Sequence, residues 1–200
     1  MVRAGTPIVI TPTSLMPEPL DDRPLDDRPL NDRPFDAASH LWPATGEAYF
    51  RADHFEAQRQ IGGRCVSTTL AMLTGQRPED LHAAINTQDP VSWSLALSAH
   101  GMKLAYCPTD ARKLKHYMDE LVRLDDLFTL SYYTTQDPQH ILADPDDAGW
   151  VTGSHIVLLH RDTILDPASG RASLARDHES NDYHTKRIFR VVPVDHPRGL

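Results

Sequence analysis

The spacing of apolar residues changes along the chain from a helical period to an alternating one. Val66, Leu70 and Leu73 recur at i, i+4 and i+7, so they predict a helix over about 65–74 with one buried face, and Gly75 follows as its C-terminal stop. The same spacing recurs further on and predicts three more helices, over about 78–85, 91–97 and 110–122. The first half of the chain is therefore predicted to be mainly helical.

Alternating patterns are concentrated in the second half of the chain. A short strand is predicted over Met102–Cys107, where Pro108 ends it. Further strand-like runs follow at Leu127–Tyr133, His155–His160, Thr163–Leu165 and Ile188–Val194. Helices thus come before strands, which predicts an α+β fold with an N-terminal helical half packed on a C-terminal antiparallel sheet. Between these strands, residues 134–154 are rich in turn-forming residues and predict a long irregular loop of the kind that often carries function.

The first 45 residues differ in composition from the rest of the chain. They hold half of its sixteen prolines, and a five-residue unit recurs in them as Asp21–Leu25, Asp26–Leu30 and Asn31–Phe35. A proline at every fifth position prevents a continuous helix, so residues 1–45 are predicted to be a disordered tail and residues 46–200 the folded domain. We interpret the tail as a linker, and the alternative is a strip that docks a partner through Leu25, Leu30 and Phe35.

Composition and charge argue against several classes of function. The chain has 28 acidic and 20 basic residues, for a net charge of −8, and no basic run that could follow a nucleic-acid backbone. No apolar run reaches the roughly 18 residues of a membrane span, and no signal-peptide pattern follows Met1, so we expect a cytoplasmic protein without membrane contact. The sequence contains neither a zinc-binding motif nor a phosphate-binding glycine loop, so no metal or other cofactor is expected.

Cys65 is the candidate nucleophile, because it falls in the first turn of the helix predicted over 65–74. A thiol there meets the positive end of the helix dipole and unpaired backbone N–H groups, and both favour the thiolate. The same N–H groups can bind an oxyanion. The only other cysteine, Cys107, ends a predicted strand and is assigned to the core. With two cysteines a disulfide framework is not expected, and a reducing compartment is favoured.

A candidate base and a group that orients it belong to one predicted hairpin. His155 opens the first strand, Asp166 ends the second before Pro167, and the turn is predicted near Arg161. Antiparallel pairing would make His155 and Asp166 neighbours, so that the carboxylate accepts the Nδ1 proton of the imidazole. A cysteine nucleophile needs a base, and the base needs a third group that fixes its tautomer. His160, on the opposite strand face, is the alternative base.

These motifs resemble those of the bacteriocin-processing double-glycine peptidases and their wider bacterial relatives among the papain-like cysteine peptidases. In that family a Cys opens a helix of the type Cys-x-x-Thr/Ala-x-Leu-Ala-Met, a His opens a strand, and an Asp-Pro follows. The matching residues here are Cys65, Thr68, Leu70, Ala71, Met72, His155, Asp166 and Pro167. The resemblance covers roughly residues 56–170, which is most of the predicted folded part and none of the repeats.

The resemblance implies a papain-like α+β fold and a peptidase that cleaves a peptide or protein substrate through an acyl-enzyme. Cys65 would be the nucleophile, His155 the base and Asp166 the group that orients the base. In the family a Gln six positions before the Cys helps to form the oxyanion hole. That position is an arginine here, flanked by Gln58 and Gln60, and we prefer Gln60 because the loop at Gly62-Gly63 could bring it into place.

Two other functions are compatible with the same sequence. A papain-fold deamidase, transglutaminase or amidase would use the same triad and the same acyl-enzyme on a protein or cell-wall amide. A catalytically inactive papain-like module would instead bind a partner and use the tail to recruit it. The departures from the family pattern at Arg59 and at Val66, where the family often has Gly, keep this last interpretation open.

Overall fold

The structure, a computed structural model, describes residues 41–43, 47–142, 146–148 and 151–200. The repeats at 21–35, and with them the predicted docking strip, lie outside the described residues. The described helices are α1 (Cys65–Thr74), α2 (Pro78–Ala84), α3 (Pro90–Ser98) and α4 (Lys115–Leu124). The described strands are β1 (Met102–Cys107), β2 (Leu127–Tyr133), β3 (Ser154–His160), β4 (Thr163–Asp166), β5 (Arg171–Leu174) and β6 (Thr185–Pro193). The mixed α+β class predicted from the sequence is confirmed.

The six strands form one antiparallel sheet in the order β1-β6-β2-β3-β4-β5. The last strand in the sequence, β6, lies between β1 and β2, so the sheet joins segments that are far apart along the chain. The strand β5 was not predicted. All four of its residues are exposed, and the short run Arg-Ala-Ser-Leu lacks the β-branched and aromatic residues that mark a strand. In the described part of the chain, no helix is both long and apolar enough to cross a membrane.

Apolar side chains cover both faces of the sheet. Along β3, Ile156 and Leu158 pack in the core that contains residues of α1 to α3, whereas Val157 and Leu159 pack in the core that contains α4. Consecutive residues of a strand point to opposite faces, so the helices lie on both sides of the sheet. The prediction of a single helical half on one side of the sheet is therefore wrong. Helix α4, of which Tyr117, Met118 and Leu121 are buried, follows β1 and packs on the face opposite to α1, α2 and α3.

A buried ion pair anchors the start of the folded part. Arg190 of β6 and Asp126, between α4 and β2, are both fully buried, and Asp126 also accepts a hydrogen bond from the Tyr49 N–H at 3.1 Å. The Arg190 guanidinium lies 4.8 Å from the centre of the Trp42 ring. Leu41 and Trp42 are 1% and 3% exposed. Leu41 and Trp42, which lie upstream of the boundary predicted at 46, are therefore packed in the core.

Candidate active site

Cys65 is the first residue of α1, as the apolar spacing predicted. No side chain caps this helix: the hydroxyls of Ser67 and Thr68 donate back to the Arg64 carbonyl at 3.2 and 2.8 Å. Among the described residues, no backbone acceptor pairs with the N–H of Cys65. The half-buried thiol therefore lies beside a free donor and the positive end of a helix dipole.

Helix α1 is fixed across the strand that carries the candidate base. The Thr69 hydroxyl donates to the carbonyl of Ile156 at 3.3 Å, and Leu70 and Ala71 are fully buried against the sheet-side core. Ile156 directly follows His155. Residues 67–73 of α1 are all buried, so the helix is enclosed on more than the one predicted face, and its packing on β3 places its N-terminus near the beginning of the strand.

His155 and Asp166 are hydrogen-bonded, with 2.8 Å between His155 Nε2 and Asp166 Oδ1. The nitrogen differs from the expected Nδ1. Leu158 pairs with Leu165 across the hairpin, and the same register extended places Asp166 beside Val157, so Asp166 and His155 are diagonal neighbours. A diagonal pair is further apart than a directly opposite pair, which is why the distal ring nitrogen makes the bond.

The pKa of His155 is raised by two partners, Asp166 and Cys65, whose effect exceeds that of burial. Burial lowers the pKa of His155, but hydrogen bonds to Asp166 and Cys65, together with the charges of both groups, raise it to about 9. Asp166 occupies Nε2 and leaves Nδ1 as the nitrogen available to Cys65. The side chains of His155 and Asp166 are 13% and 8% exposed, so water screens their interaction little. At neutral pH the site thus favours the imidazolium form of His155, next to the Asp166 carboxylate and to Cys65.

A tight turn after β4 holds the carboxylate. Asp166 Oδ1 accepts from the Ala168 N–H at 2.9 Å, and Oδ2 accepts from the Ser169 N–H at 3.1 Å. Burial raises the pKa of Asp166, yet the hydrogen bonds from His155 and from this turn hold the pKa well below its usual range. The carboxylate is therefore ionised and cannot rotate freely, so it fixes the imidazole ring in one orientation.

The same turn also holds the segment that precedes the nucleophile. The Pro167 carbonyl accepts from the Gln60 N–H at 2.8 Å. Gly170, which ends the turn, has a φ of +66°, and a Cβ there would lie 2.7 Å from the Cβ of Arg59. Glycine is needed at this position both for the backbone conformation and for the close approach. Sequence reasoning missed this contact, which joins residues more than a hundred positions apart.

Gln60, the preferred oxyanion candidate, is not turned toward the thiol. Its side-chain Nε2 donates to the Gly62 carbonyl at 2.9 Å, and its Oε1 is buried without a partner among the described residues. Gln60 is not among the residues that line the cleft beside Cys65. The alternative, Gln58, lies against α1, where its N–H donates to the sulfur of Met72 at 3.3 Å. The structure thus brings Cys65, His155 and Asp166 together and leaves both glutamines in the adjoining segment.

A cleft of about 170 Å³ opens beside Cys65 and His155. The long loop predicted over 134–154 returns along it, because residues 151–153 form part of its wall. Strand β6 contributes Lys186 and Arg187, which sequence reasoning missed. No local pattern could have revealed them, since their place in the cleft depends on β6 pairing with β2.

The second cysteine, Cys107, and the alternative base, His160, both take part in the packing of the fold. Cys107 is fully buried, and this burial raises the pKa of its thiol to about 12, so it stays protonated. Its assignment to the core is confirmed. His160, the alternative base, hydrogen-bonds through Nε2 to the Phe50 carbonyl at 3.1 Å and packs edge-on against the Phe55 ring. His160 therefore stabilises the fold through these contacts and does not line the cleft beside Cys65.

The site combines a thiol, an imidazole that interacts with it and a carboxylate hydrogen-bonded to that imidazole, an arrangement able to perform acyl transfer. Among the described residues, no group of three His, Cys, Asp or Glu side chains could hold a metal ion. No model of a known protein family matches the chain, and a comparison with curated proteins finds no match.

Proposed function

We propose that the protein is a papain-like cysteine hydrolase, and most simply a peptidase. The observation that carries this proposal is that His155 bonds through Nε2 to an ionised Asp166 and also interacts with Cys65 at the uncapped start of α1. A structural cysteine needs none of these partners. The order of the three residues along the chain also agrees with the family that the motifs resemble.

The reaction follows from the places of the three side chains. The Cys65 sulfur attacks the carbonyl carbon of the substrate as a thiolate, and the imidazolium of His155 gives its Nδ1 proton to the departing amine as the C–N bond breaks. The product is a thioester between Cys65 and the acyl part of the substrate. Water then attacks this thioester, His155 takes a proton from the water, and the C–S bond breaks to release the carboxylic acid and the Cys65 thiolate beside the restored imidazolium. Asp166 keeps the ring oriented in both steps.

The oxyanion requires donors, and we assign the Cys65 N–H as one and the Gln60 amide as the other. The present hydrogen bonds of Gln60 make this role accessible. Turning the amide toward the thiol would break one hydrogen bond, to the Gly62 carbonyl. It would also move Gln60 Oε1 out of a buried position in which this atom has no hydrogen-bond partner among the described residues. A buried unpaired acceptor costs about 1–3 kcal/mol, so the two effects largely offset each other.

A thiol-reactive activity probe tests the proposal. The wild-type protein is expected to be labelled at Cys65, and Cys65→Ala is expected to abolish labelling. Cys107→Ala is the matched control, since that thiol is buried and protonated, and this variant should label as the wild type does. Labelling that survives in Cys65→Ala, or a wild type that is labelled only at Cys107, would contradict the assignment.

The kind of amide needs a second measurement. Mass spectrometry of a peptide library incubated with the protein distinguishes cleaved chains from intact chains in which a side-chain amide has become a carboxylate. Cleavage supports a peptidase. Intact, deamidated or amine-linked chains would instead identify a deamidase or transglutaminase that uses the same three residues, and an unchanged library with unlabelled Cys65 would identify an inactive binding module.

A further inference from the structure

Two neighbouring cations, Lys186 and Arg187, line the cleft that opens beside Cys65 and His155. In a regular strand, consecutive side chains point to opposite faces, so adjacent residues of β6 would not normally share one cleft. Their joint presence therefore needs a structural cause.

The cause is an irregularity in the pairing of β6 with β2. Arg187 lies opposite Ser131, but the next residue of β2, Tyr132, lies opposite Thr185, and the register shifts between the two pairs. Lys186 is thus an extra residue that has no paired residue on β2, which defines a β-bulge. Bulges re-aim side chains and are frequent beside functional sites. Here the bulge brings a second positive charge to the wall of the cleft.

Neither cation has a carboxylate partner within ion-pairing distance among the residues that the structure describes. Lys186 Nζ instead donates to the hydroxyl of Ser154 at 3.0 Å and lies 5.7 Å from the centre of the Tyr133 ring. None of the described residues that line the cleft is acidic. In a chain with a net charge of −8, the cleft is a local reversal of charge.

Two like charges held side by side are unfavourable unless an anion joins them. Lys186 is only half-exposed: burial lowers its pKa and the charge of Arg187 acts in the same direction, while Cys65 acts in the opposite direction. A bound anion would offset both effects. The cleft is small, so an anion bound there lies close to the thiol.

We propose that Lys186 and Arg187 bind a carboxylate of the substrate close to the carbonyl that Cys65 attacks. The substrate class is then peptide or protein chains that carry an acidic side chain, or their own terminal carboxylate, next to the reacting amide. This inference rests on the proposed acyl-transfer function and deepens it by naming the substrate chemistry. It also makes the β6 bulge a specificity device rather than an irregularity of the sheet.

Alkylation of Cys65 by two small reagents tests the charge of the cleft without any peptide. Iodoacetate carries a carboxylate and iodoacetamide does not, but in both the thiolate sulfur bonds to the CH₂ carbon as the carbon–iodine bond breaks and iodide leaves. The measured quantity is the rate of alkylation of Cys65 by iodoacetate divided by the rate with iodoacetamide, and mass spectrometry measures both rates. In the Lys186→Gln/Arg187→Gln protein the ratio is expected to fall about tenfold relative to the wild type.

A matched control keeps the total charge change the same. Lys115→Gln/Arg123→Gln removes two exposed cations on α4 that do not line the cleft, and should leave the ratio unchanged. The Lys186→Arg variant keeps the charge and should keep most of the effect. If the double cleft variant misfolds, the salt dependence of the wild type replaces it as the test, because raising the ionic strength should lower the ratio of the two alkylation rates. A ratio that is indifferent to salt or to the cleft variant, or a thiol that neither reagent reaches, overturns the proposal.

Paired peptides then distinguish the two sources of the carboxylate. One pair differs by Glu or Gln beside the reacting bond, and the other by a free or amidated C-terminus. A preference for Glu in the first pair identifies an acidic side chain, and a preference for the free acid in the second pair identifies a chain end. The preference should disappear in Lys186→Gln/Arg187→Gln. Processing of both members of each pair at equal rates would overturn the inference.

The two levels of the proposal fail in different ways. If peptides are processed without regard to charge, and the alkylation ratio is unchanged by the cleft variant, the function stands and the carboxylate inference fails. If the ratio falls as expected but no amide is processed, the carboxylate site stands and the hydrolase function fails.

Discussion

Replacing Asp166 by Asn tests the electrostatic link on which the proposed chemistry depends. The change removes the negative charge next to His155 but keeps the size of the side chain. Asn also keeps an oxygen that can accept from the Ala168 N–H, which now donates to Asp166 at 2.9 Å. The turn is therefore expected to survive, so the main effect falls on the imidazole.

The size of the effect follows from the contacts of His155, whose pKa is raised from 6.5 to about 9 against the opposing effect of burial. A hydrogen bond to a charged group contributes about 1.5–3 kcal/mol, and one pKa unit corresponds to about 1.4 kcal/mol, so loss of the Asp166 charge should lower the pKa by about 1 to 2 units. The Cys65 contribution and the burial stay in place. The expected midpoint for His155 in Asp166→Asn is therefore about 7 to 8.

Histidine-labelled NMR measures this midpoint directly. The His155 resonance is assigned by its loss in His155→Gln, and its shift is followed with pH in the wild type, in Asp166→Asn and in the control Asp119→Asn, an exposed position on α4. Since protonated His155 serves the leaving amine, the alkaline limit of kcat/KM should move down by the same amount as the midpoint. A wild-type midpoint near 6.5, or a midpoint that Asp166→Asn leaves unchanged, would refute the reasoning.

Four other outcomes follow from named contacts. Gln60→Ala should lower kcat about 10²-fold with little change in KM, as loss of one oxyanion donor does, and an unchanged kcat in steady-state kinetics would remove Gln60 from that role. Gly170→Ala should cost about 1–3 kcal/mol in urea unfolding, because the new methyl group meets the neighbouring backbone at a left-handed φ; wild-type stability would contradict this. Arg190→Leu leaves the buried Asp126 carboxylate without its ion-pair partner and should cost about 3–5 kcal/mol, most of which Arg190→Leu/Asp126→Leu should recover in the same assay. A folded pKa of His155 above its unfolded value contributes stability that is complete below about pH 6.5 and is lost as pH rises through about 9; the unfolding free energy of wild type minus His155→Gln should fall over that window, and a flat difference would count against it.

Local periodicity was enough to predict the parts of the site that are close in sequence. The spacing from Val66 to Leu73 depends only on the 3.6-residue turn of a helix, and it placed Cys65 at the first residue of α1. The hairpin was also predictable, because two short strands and a tight turn fix which residues come together. His160 pairs with Thr163, and the turn between them has Arg161 at a φ of 61°.

The remainder depends on pairings that no short window of sequence contains. The insertion of β6 between β1 and β2, and the bulge at Lys186, arise from contacts between strands more than fifty residues apart. The distribution of helices over both faces has the same origin, since the side on which α4 packs is set by where β1 joins the sheet. Even within the hairpin, the choice of Nε2 over Nδ1 follows from a register that the spacing alone leaves undetermined.

The turn that ends β4 links the two sides of the proposed site. Through its carboxylate, Asp166 orients His155, and through the next carbonyl, Pro167 holds the N–H of Gln60 at 2.8 Å. Gly170 completes the turn and lets the backbone of Arg59 approach it. The base and the candidate oxyanion segment are thus positioned by one five-residue unit, so a displacement of that unit must disturb both. Gly170→Ala, which touches neither the thiol nor the imidazole, should for this reason lower kcat beyond what its loss of stability explains.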